Sequence, residues 1–212
     1  MPERGRFITL EGLDGSGKST QLRRLAVRLR AHGRTVLETV EPGGTEIGRS
    51  IREILLDSAN QRLSPTAELL LYFASRAQNV DELILPALAR GEIVLADRFT
   101  DSTLAYQGCG RGLGAEVVDQ LDRIACRGVR PDLTLFLDID LETSLARARS
   151  RNLAQSSTET RMDDQAFEFH RKVYDAYQCL AVREQERIKP IDGRGAIDQI
   201  EQEIWRVVSA YV

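Results

Sequence analysis

The 212-residue sequence predicts an α/β protein, an open five-stranded parallel sheet with helices on both faces. Three observations predict it. Short, largely apolar runs suit buried parallel strands. Amphipathic segments alternate with them, and right-handed crossovers then demand a parallel sheet with helices on each side. No internal repeat or linker divides the chain, so residues 1–212 read as one domain.

The first run is Phe7-Ile8-Thr9-Leu10, which leads into a glycine-rich loop from Gly12. Leu22, Leu25, Ala26 and Leu29 then share one helix face, with Gly33 where a C-terminal cap belongs. A second strand, Thr35 to Val40, ends in the turn signal Glu41-Pro42-Gly43-Gly44. Ile47, Ile51, Ile54 and Leu55 mark a second helix. Ser64-Pro65 opens a third, through Tyr72 to about Gln78 or on to Leu85.

Ile93 to Ala96 is a third strand, ending at Asp97-Arg98 and followed by a polar stretch. A helix from Glu116 to Cys126 precedes the fourth strand, Leu133 to Leu137, which ends at Asp138. Leu141 to about Ser150 reads as helix, and the Ser/Thr/Gln-rich segment from Asn152 to Thr160 as a mobile loop. A helix through Phe167, Val173 and Tyr177, a short strand at Ile188 to Ile191 and a helix carrying Ile197, Ile200, Ile204 and Val208 complete the chain.

Composition narrows the class. Hydrophobic residues at 42% and charged residues at 29% are the ordinary globular balance and exclude disorder as the dominant state. A net charge of −3 argues against a whole-molecule grip on nucleic acid. Cys109, Cys126 and Cys179 stand far apart without metal-ligand spacing and read as plain thiols of a reducing compartment. Met1-Pro2-Glu3-Arg4-Gly5-Arg6 leads straight into a strand, and no stretch approaches membrane-spanning length. A soluble cytoplasmic protein without membrane or nucleic-acid partners is expected.

Ligands of such sheets gather at the carboxyl ends of the strands, here the glycine loop, Glu41-Pro42, Asp97-Arg98 and Asp138. Gly12-Leu13-Asp14-Gly15-Ser16-Gly17-Lys18-Ser19 matches G-x-x-x-x-G-K-[ST] between a strand and a helix, and Thr20 continues it. Its amides and the helix N-terminus suit phosphate, Lys18 would reach the β- and γ-phosphates, and the Ser19 hydroxyl would hold Mg²⁺. No guanine-reading N-K-x-D occurs, since Asn60, Asn79 and Asn152 each precede something other than lysine. No apolar strand ends in the Asp-Glu of hydrolytic motors. Transfer to a bound acceptor is therefore favoured over hydrolysis.

An anionic acceptor calls for arginines near strand ends, because their planar forks hold phosphate bidentately. Arg52, Arg76 and Arg98 meet that requirement. Arg147, Arg149 and Arg151, with Arg161 beyond, read either as a solvated helix end or as a cationic lid at about 147–163 that closes over phosphates.

Gly12 to Thr20, Glu41-Pro42-Gly43-Gly44-Thr45, Asp97-Arg98-Phe99, Asp101-Ser102-Thr103-Leu104-Ala105-Tyr106-Gln107-Gly108 and Arg130-Pro131-Asp132-Leu133-Thr134 together resemble the bacterial thymidylate kinases over nearly the whole chain. The run Asp101 to Gly108 is the most diagnostic. The resemblance implies a P-loop nucleoside monophosphate kinase fold and transfer of the γ-phosphoryl group of ATP to dTMP with Mg²⁺, for dTTP synthesis, in a homodimer.

It further implies that Lys18 and the loop amides hold ATP, with Arg147 against adenine. Arg52, Arg76 and Arg98 would bind the dTMP phosphate, and Asp14 its 3′-hydroxyl. Gln107, with Ser102 and Arg76, would read the thymine edge, and Thr103 belongs to the same pocket. Tyr106 would crowd the 2′ position, and Asp97 would act near Mg²⁺. Tyr72, with Phe73 as its substitute, stands where the family carries a base-stacking phenylalanine. Gly15 occupies the position at which some members place a catalytic arginine, so this chain resembles the lid-arginine type, with Arg151 first and Arg149 second. The segment from Asn152 to Thr160 is longer than usual for the family.

Glu11 has two open readings, tying loop amides or touching the acceptor, and Asp138 is either structural or catalytic. His32, His170 and Trp205 read as structural. The competing functions are a kinase for another deoxynucleotide or nucleoside, and an ATP-switched binding protein.

Overall fold

Strand β1 (Phe7–Glu11) is buried along its whole length at the centre of a five-stranded sheet ordered β2-β3-β1-β4-β5, every adjacent pair parallel. The computed structural model describes residues 4–212. The start of the N-terminal segment, residues 1–3, lies outside them. The other strands are β2 (Val36–Val40), β3 (Ile93–Asp97), β4 (Leu133–Asp138) and β5 (Ile188–Asp192).

Because side chains alternate along a strand, each strand feeds two cores. Ile8, Leu10, Leu95, Leu133, Leu135 and Leu137 pack against α1 (Lys18–Ala31) and the C-terminal helix. Phe7, Val94 and Ala96 face the opposite side, against the helices inserted between β2 and β4.

Those inserted helices are α2 (Glu46–Leu56), α3 (Pro65–Asn79), α4 (Leu85–Ala89), α5 (Thr100–Thr103) and α6 (Ala115–Cys126). The helix opened at Ser64 behaves as the cap and proline predict, with Ser64 Oγ accepting from the Ala67 amide. It continues past Leu85 through a π turn, Val80–Ile84, because Val80, Ile84, Ala87 and Leu88 extend its buried stripe. The stretch after Arg98 is a short helix and a π-helical segment, Leu104–Gly110. Asp101, Ser102, Thr103 and Gln107 within it are buried and paired, which composition alone disguises.

The last three helices are α7 (Leu141–Gln155), α8 (Phe167–Arg183) and α9 (Ile197–Val208). Helix α7 runs beyond the expected end near Ser150 and takes in the first part of the expected loop. Leu153 and Ala154 are good helix formers, and the helix stops only where Ser156 turns left-handed at φ 48°. Among the described residues, no helix is long and apolar enough to cross a membrane. The three cysteines carry free thiols.

Candidate active site

The carboxyl ends of β1 and β3 open into one cleft of ≈ 630 Å³, floored by the glycine loop and walled by α2, α3, the segment after β3, and α7 with the residues that follow it. The loop is clamped from behind. A Cβ on Gly12 would stand 2.7 Å from the Leu137 carbonyl oxygen, and one on Gly15 would stand 2.5 Å from that of Ser144 on α7. Both glycines have positive φ, so no other residue fits. Leu13 turns its side chain into the core beside α8 and offers its carbonyl instead.

Lys18 folds back over the loop, donating to the carbonyls of Gly12 (3.0 Å) and Leu13 (2.7 Å), with the Ser16 hydroxyl at 3.5 Å. Burial and the nearby Arg98 guanidinium push its ammonium down to about 8, against the opposing pull of Asp14 and Asp97. The Ser19 hydroxyl donates to Asp97 at the end of β3. A hydroxyl and a carboxylate so close form an all-oxygen donor set that fits a hard cation keeping several waters.

Arg98 is the hub of the cleft. It follows β3 directly and adopts φ 73°, a left-handed backbone that is strained for a residue other than glycine and common at functional sites. Its guanidinium donates to Gly12 O (2.9 Å), Asp14 Oδ1 (2.8 Å), Ser102 Oγ (3.0 Å), Tyr177 OH (3.2 Å) and Tyr106 OH (3.3 Å). Tyr106 in turn donates to Asp14 Oδ2 at 3.0 Å. Burial alone would raise the Asp14 carboxyl, but Arg98 and Lys18 hold it well below the usual carboxylate range.

Beneath this hub Glu11 accepts from the Phe99 amide (2.7 Å), Ser102 Oγ (2.5 Å) and Tyr177 OH (3.0 Å). Burial, reinforced by Asp101, raises its carboxyl to about 7. Its partners lie in the segment after β3 and on α8, not in the glycine loop, and Ser102 and Tyr177 also accept from Arg98.

Arg76 is buried yet reaches the cleft wall. Its Nε donates to Glu41 (2.5 Å) and a terminal nitrogen donates to Thr103 Oγ1 (2.8 Å), while Asn79 supplies Glu41's other oxygen at 3.0 Å. Both partners are almost fully enclosed, so Glu41→Ala leaves a buried charge unpaired and is expected to lower unfolding stability by about 3–5 kcal/mol. Urea denaturation checks this.

Tyr72 lines the cleft, whereas Phe73 belongs to the core under α3, where the Arg76 guanidinium lies 4.9 Å from its ring centroid. Phe73 is enclosed in that core and does not line the cleft. Phe73 is therefore not a base-stacking substitute in this geometry. Ser102, Thr103, Tyr106 and Gln107 all line the cleft, and Gln107 donates to the buried Glu68.

Arg147 and Arg151 on α7 face the cleft, and Arg149 between them is exposed and does not line it. Arg147 donates to the Gly193 carbonyl (3.4 Å). Arg151 pairs with Asp163 (3.1 Å), whose carboxyl is raised to about 6 by burial and by the Asp14 charge. Arg52 donates to the Pro42 carbonyl (2.9 Å) and pairs with Glu159 (2.7 Å).

Asp138 accepts from Gln178 away from the cleft. His32 sits at the end of α1 with its ring 4.5 Å from that of Trp205. His170 is buried with Nε2 3.3 Å from the Asp163 carbonyl.

The sequence reading did not single out Glu68, Glu159 or Asp163. Glu68 was within reach of it, because Glu68, Tyr72 and Arg76 repeat every four residues along one face of α3. Glu159 and Asp163 come to the cleft only through the path of the chain after α7.

The thymidylate kinase family model matches residues 10–204. The thymidylate kinase of Pelobacter propionicus is 50% identical over 201 residues, 94% of this chain and 92% of that protein. That of Syntrophotalea carbinolica is 50% identical over 204 residues, 96% of this chain and 94% of that protein. The crystal structure of thymidylate kinase from Ehrlichia chaffeensis superposes with a TM-score of 0.79 at 32% identity, covering 97% of this chain and 99% of that one. The sheet order, the glycine loop and these matches make the architecture a P-loop nucleoside monophosphate kinase fold. With the family model spanning residues 10–204 and relatives 50% identical over 94% and 96% of its length, the chain belongs to the thymidylate kinase family.

Proposed function

We propose that this cleft transfers the γ-phosphoryl group of ATP to dTMP, giving dTDP and ADP. The observation that carries the reading is the continuity of the cleft. A phosphate loop lies at one end, a pocket of Tyr72, Arg76 and Gln107 at the other, and Arg98 bonded to both sides between them.

The loop amides and Lys18 hold the β- and γ-phosphates in this scheme, exchanging Lys18's present carbonyl partners for phosphate oxygens. Arg52, Arg76 and Arg98 hold the acceptor phosphate in line, which matters because the transition state is loose and positioning supplies most of the catalysis. Asp14 takes the sugar 3′-hydroxyl, Tyr106 stands against the 2′ position, and Tyr72 lies along the base. Gln107, with Ser102 and Arg76, faces the base edge, and Thr103 keeps Arg76 in place. Ser19 and Asp97 are the residues that would hold Mg²⁺, directly or through water. When bound, that ion supplies positive charge across the transferring phosphates. Arg147 lies against the adenine, and Arg151 swings from Asp163 to the reacting phosphates as the lid at about 147–163 closes. A cytoplasmic homodimer, carried over from the family resemblance, belongs to the same proposal.

The test is a coupled ADP assay with ATP, Mg²⁺ and a panel of dTMP, dUMP, dCMP and dAMP. ADP and dTDP should appear together and fastest with dTMP. Absence of dTDP would refute the proposal. Equal turnover of all four would replace it with a general deoxynucleotide kinase, and ADP release independent of any acceptor with an ATP-driven switch.

A further inference from the structure

Behind the base end of the cleft lies a charge cluster that touches no reacting atom. Glu68 on α3 has a fully enclosed side chain. One oxygen accepts from Gln107 Nε2 (2.9 Å) and Arg111 Nε (3.1 Å), the other from Arg111 (2.9 Å) and Arg161 (2.7 Å). Arg161 is itself buried and anchored to the Leu55 carbonyl. Two guanidinium groups on one enclosed carboxylate keep it ionised. Burial alone would raise its carboxyl, but the N–H groups of Arg111 and Gln107 hold it below the ordinary range.

An ionised carboxylate offers only acceptors. The side-chain amide of Gln107 must therefore turn its NH₂ end to Glu68, which leaves its carbonyl as the group available elsewhere. No donor among the described residues is bonded to Gln107 Oε1, and that oxygen is not sealed from solvent. Gln107 lines the cleft, so the site presents an acceptor where a base edge would lie. Thymine and uracil carry a proton on N3 and can donate to it. Cytosine has a bare lone pair on N3, which would face the carbonyl's own lone pairs.

We infer that Glu68 is a specificity-determining positioning residue: clamped by Arg111 and Arg161, it sets the Gln107 amide so that the site takes pyrimidine monophosphates protonated at N3 and rejects those that are not. The inference rests on the proposal that Gln107 faces the base. A glutamine at position 68 can present either end of its own amide, so Glu68→Gln frees Gln107 to flip while the phosphate-binding groups stay in place.

The experiment measures kcat/KM for dTMP and for dCMP on the same preparation of each variant. The ratio of the two cancels the folded fraction, so partial loss of folding in Glu68→Gln does not obscure the result. The wild-type dTMP:dCMP ratio is expected to fall at least about tenfold in Glu68→Gln, with kcat for saturating dTMP little changed. Arg111→Lys, at the more open rim of the cluster, replaces a two-point fork with a point charge. It should lower the ratio by about threefold and guards against a Glu68 variant that does not fold at all.

Gln107→Ala separates the two levels. If it collapses the ratio while Glu68→Gln and Arg111→Lys leave it at the wild-type value, the role of Glu68 is wrong and the reading of Gln107 stands. If Gln107→Ala leaves the ratio unchanged, Gln107 does not face the base and both fall. A merely structural Glu68 would lower both kcat/KM values together and leave their ratio alone.

Discussion

Replacing Arg151 with alanine is expected to lower kcat for dTMP phosphorylation about 10³-fold, with KM for dTMP changed far less, as for loss of an arginine finger. Arg149→Ala is expected to leave kcat within about threefold, since a solvated charge away from the reacting atoms contributes little. The difference follows from helix geometry. Residues two apart on α7 point about 200° from each other, so Arg149 is turned away from the cleft that Arg151 lines. Arg151 is also held in a releasable way. Its partner Asp163 is a carboxylate already disfavoured by burial and by Asp14, so phosphate can take the guanidinium from it at small cost. Steady-state kinetics on the two variants decides the matter. A wild-type kcat in Arg151→Ala, or a collapse in Arg149→Ala, overturns the assignment.

Lys18→Ala is expected to lower kcat by about 10²–10³-fold, the cost of removing one preorganised donor from developing charge. Its pH behaviour gives an independent signature. Burial and Arg98 lower the Lys18 ammonium in the free enzyme to about 8, so its charged form is lost as pH rises through that value. Because kcat/KM reports groups of the free enzyme, kcat/KM for ATP should fall above about pH 8. The kcat profile should stay flatter there, since bound phosphates restore the charge. The alkaline limb should be missing in Lys18→Ala. A wild-type kcat/KM for ATP that stays level to pH 9.5 would contradict the geometry around Lys18.

Much of the fold was legible in the residues because the signals are local. The apolar runs at Phe7 and Ile93 needed only their own side chains to be read as buried strands, and both lie where they were expected. Ser64-Pro65 started a helix by its own cap chemistry. Segments whose state depends on neighbours were harder. The stretch after Arg98 reads only as polar, yet Asp101, Ser102, Thr103 and Gln107 are buried. Each found a partner distant in sequence, as Ser102 did with Glu11. The end of α7 was misplaced because a Ser/Thr/Gln-rich composition outweighed the helix propensity of Leu153 and Ala154.

The site divides the same way. The phosphate loop is eight consecutive residues whose backbone carries the function, so its sequence spells it out. Tyr72 and Phe73 were a choice that only the packing of α3 could make. Alone, the sequence determined the sheet, the loop and the family, since each is written in short-range patterns of apolarity, glycine and spacing. Tertiary structure decided which carboxylate meets which guanidinium. Glu68 gathers Gln107, Arg111 and Arg161 from 39, 43 and 93 residues away. The physical reason is that a charge can be enclosed only where its counter-charge is delivered, and delivery depends on how distant elements pack.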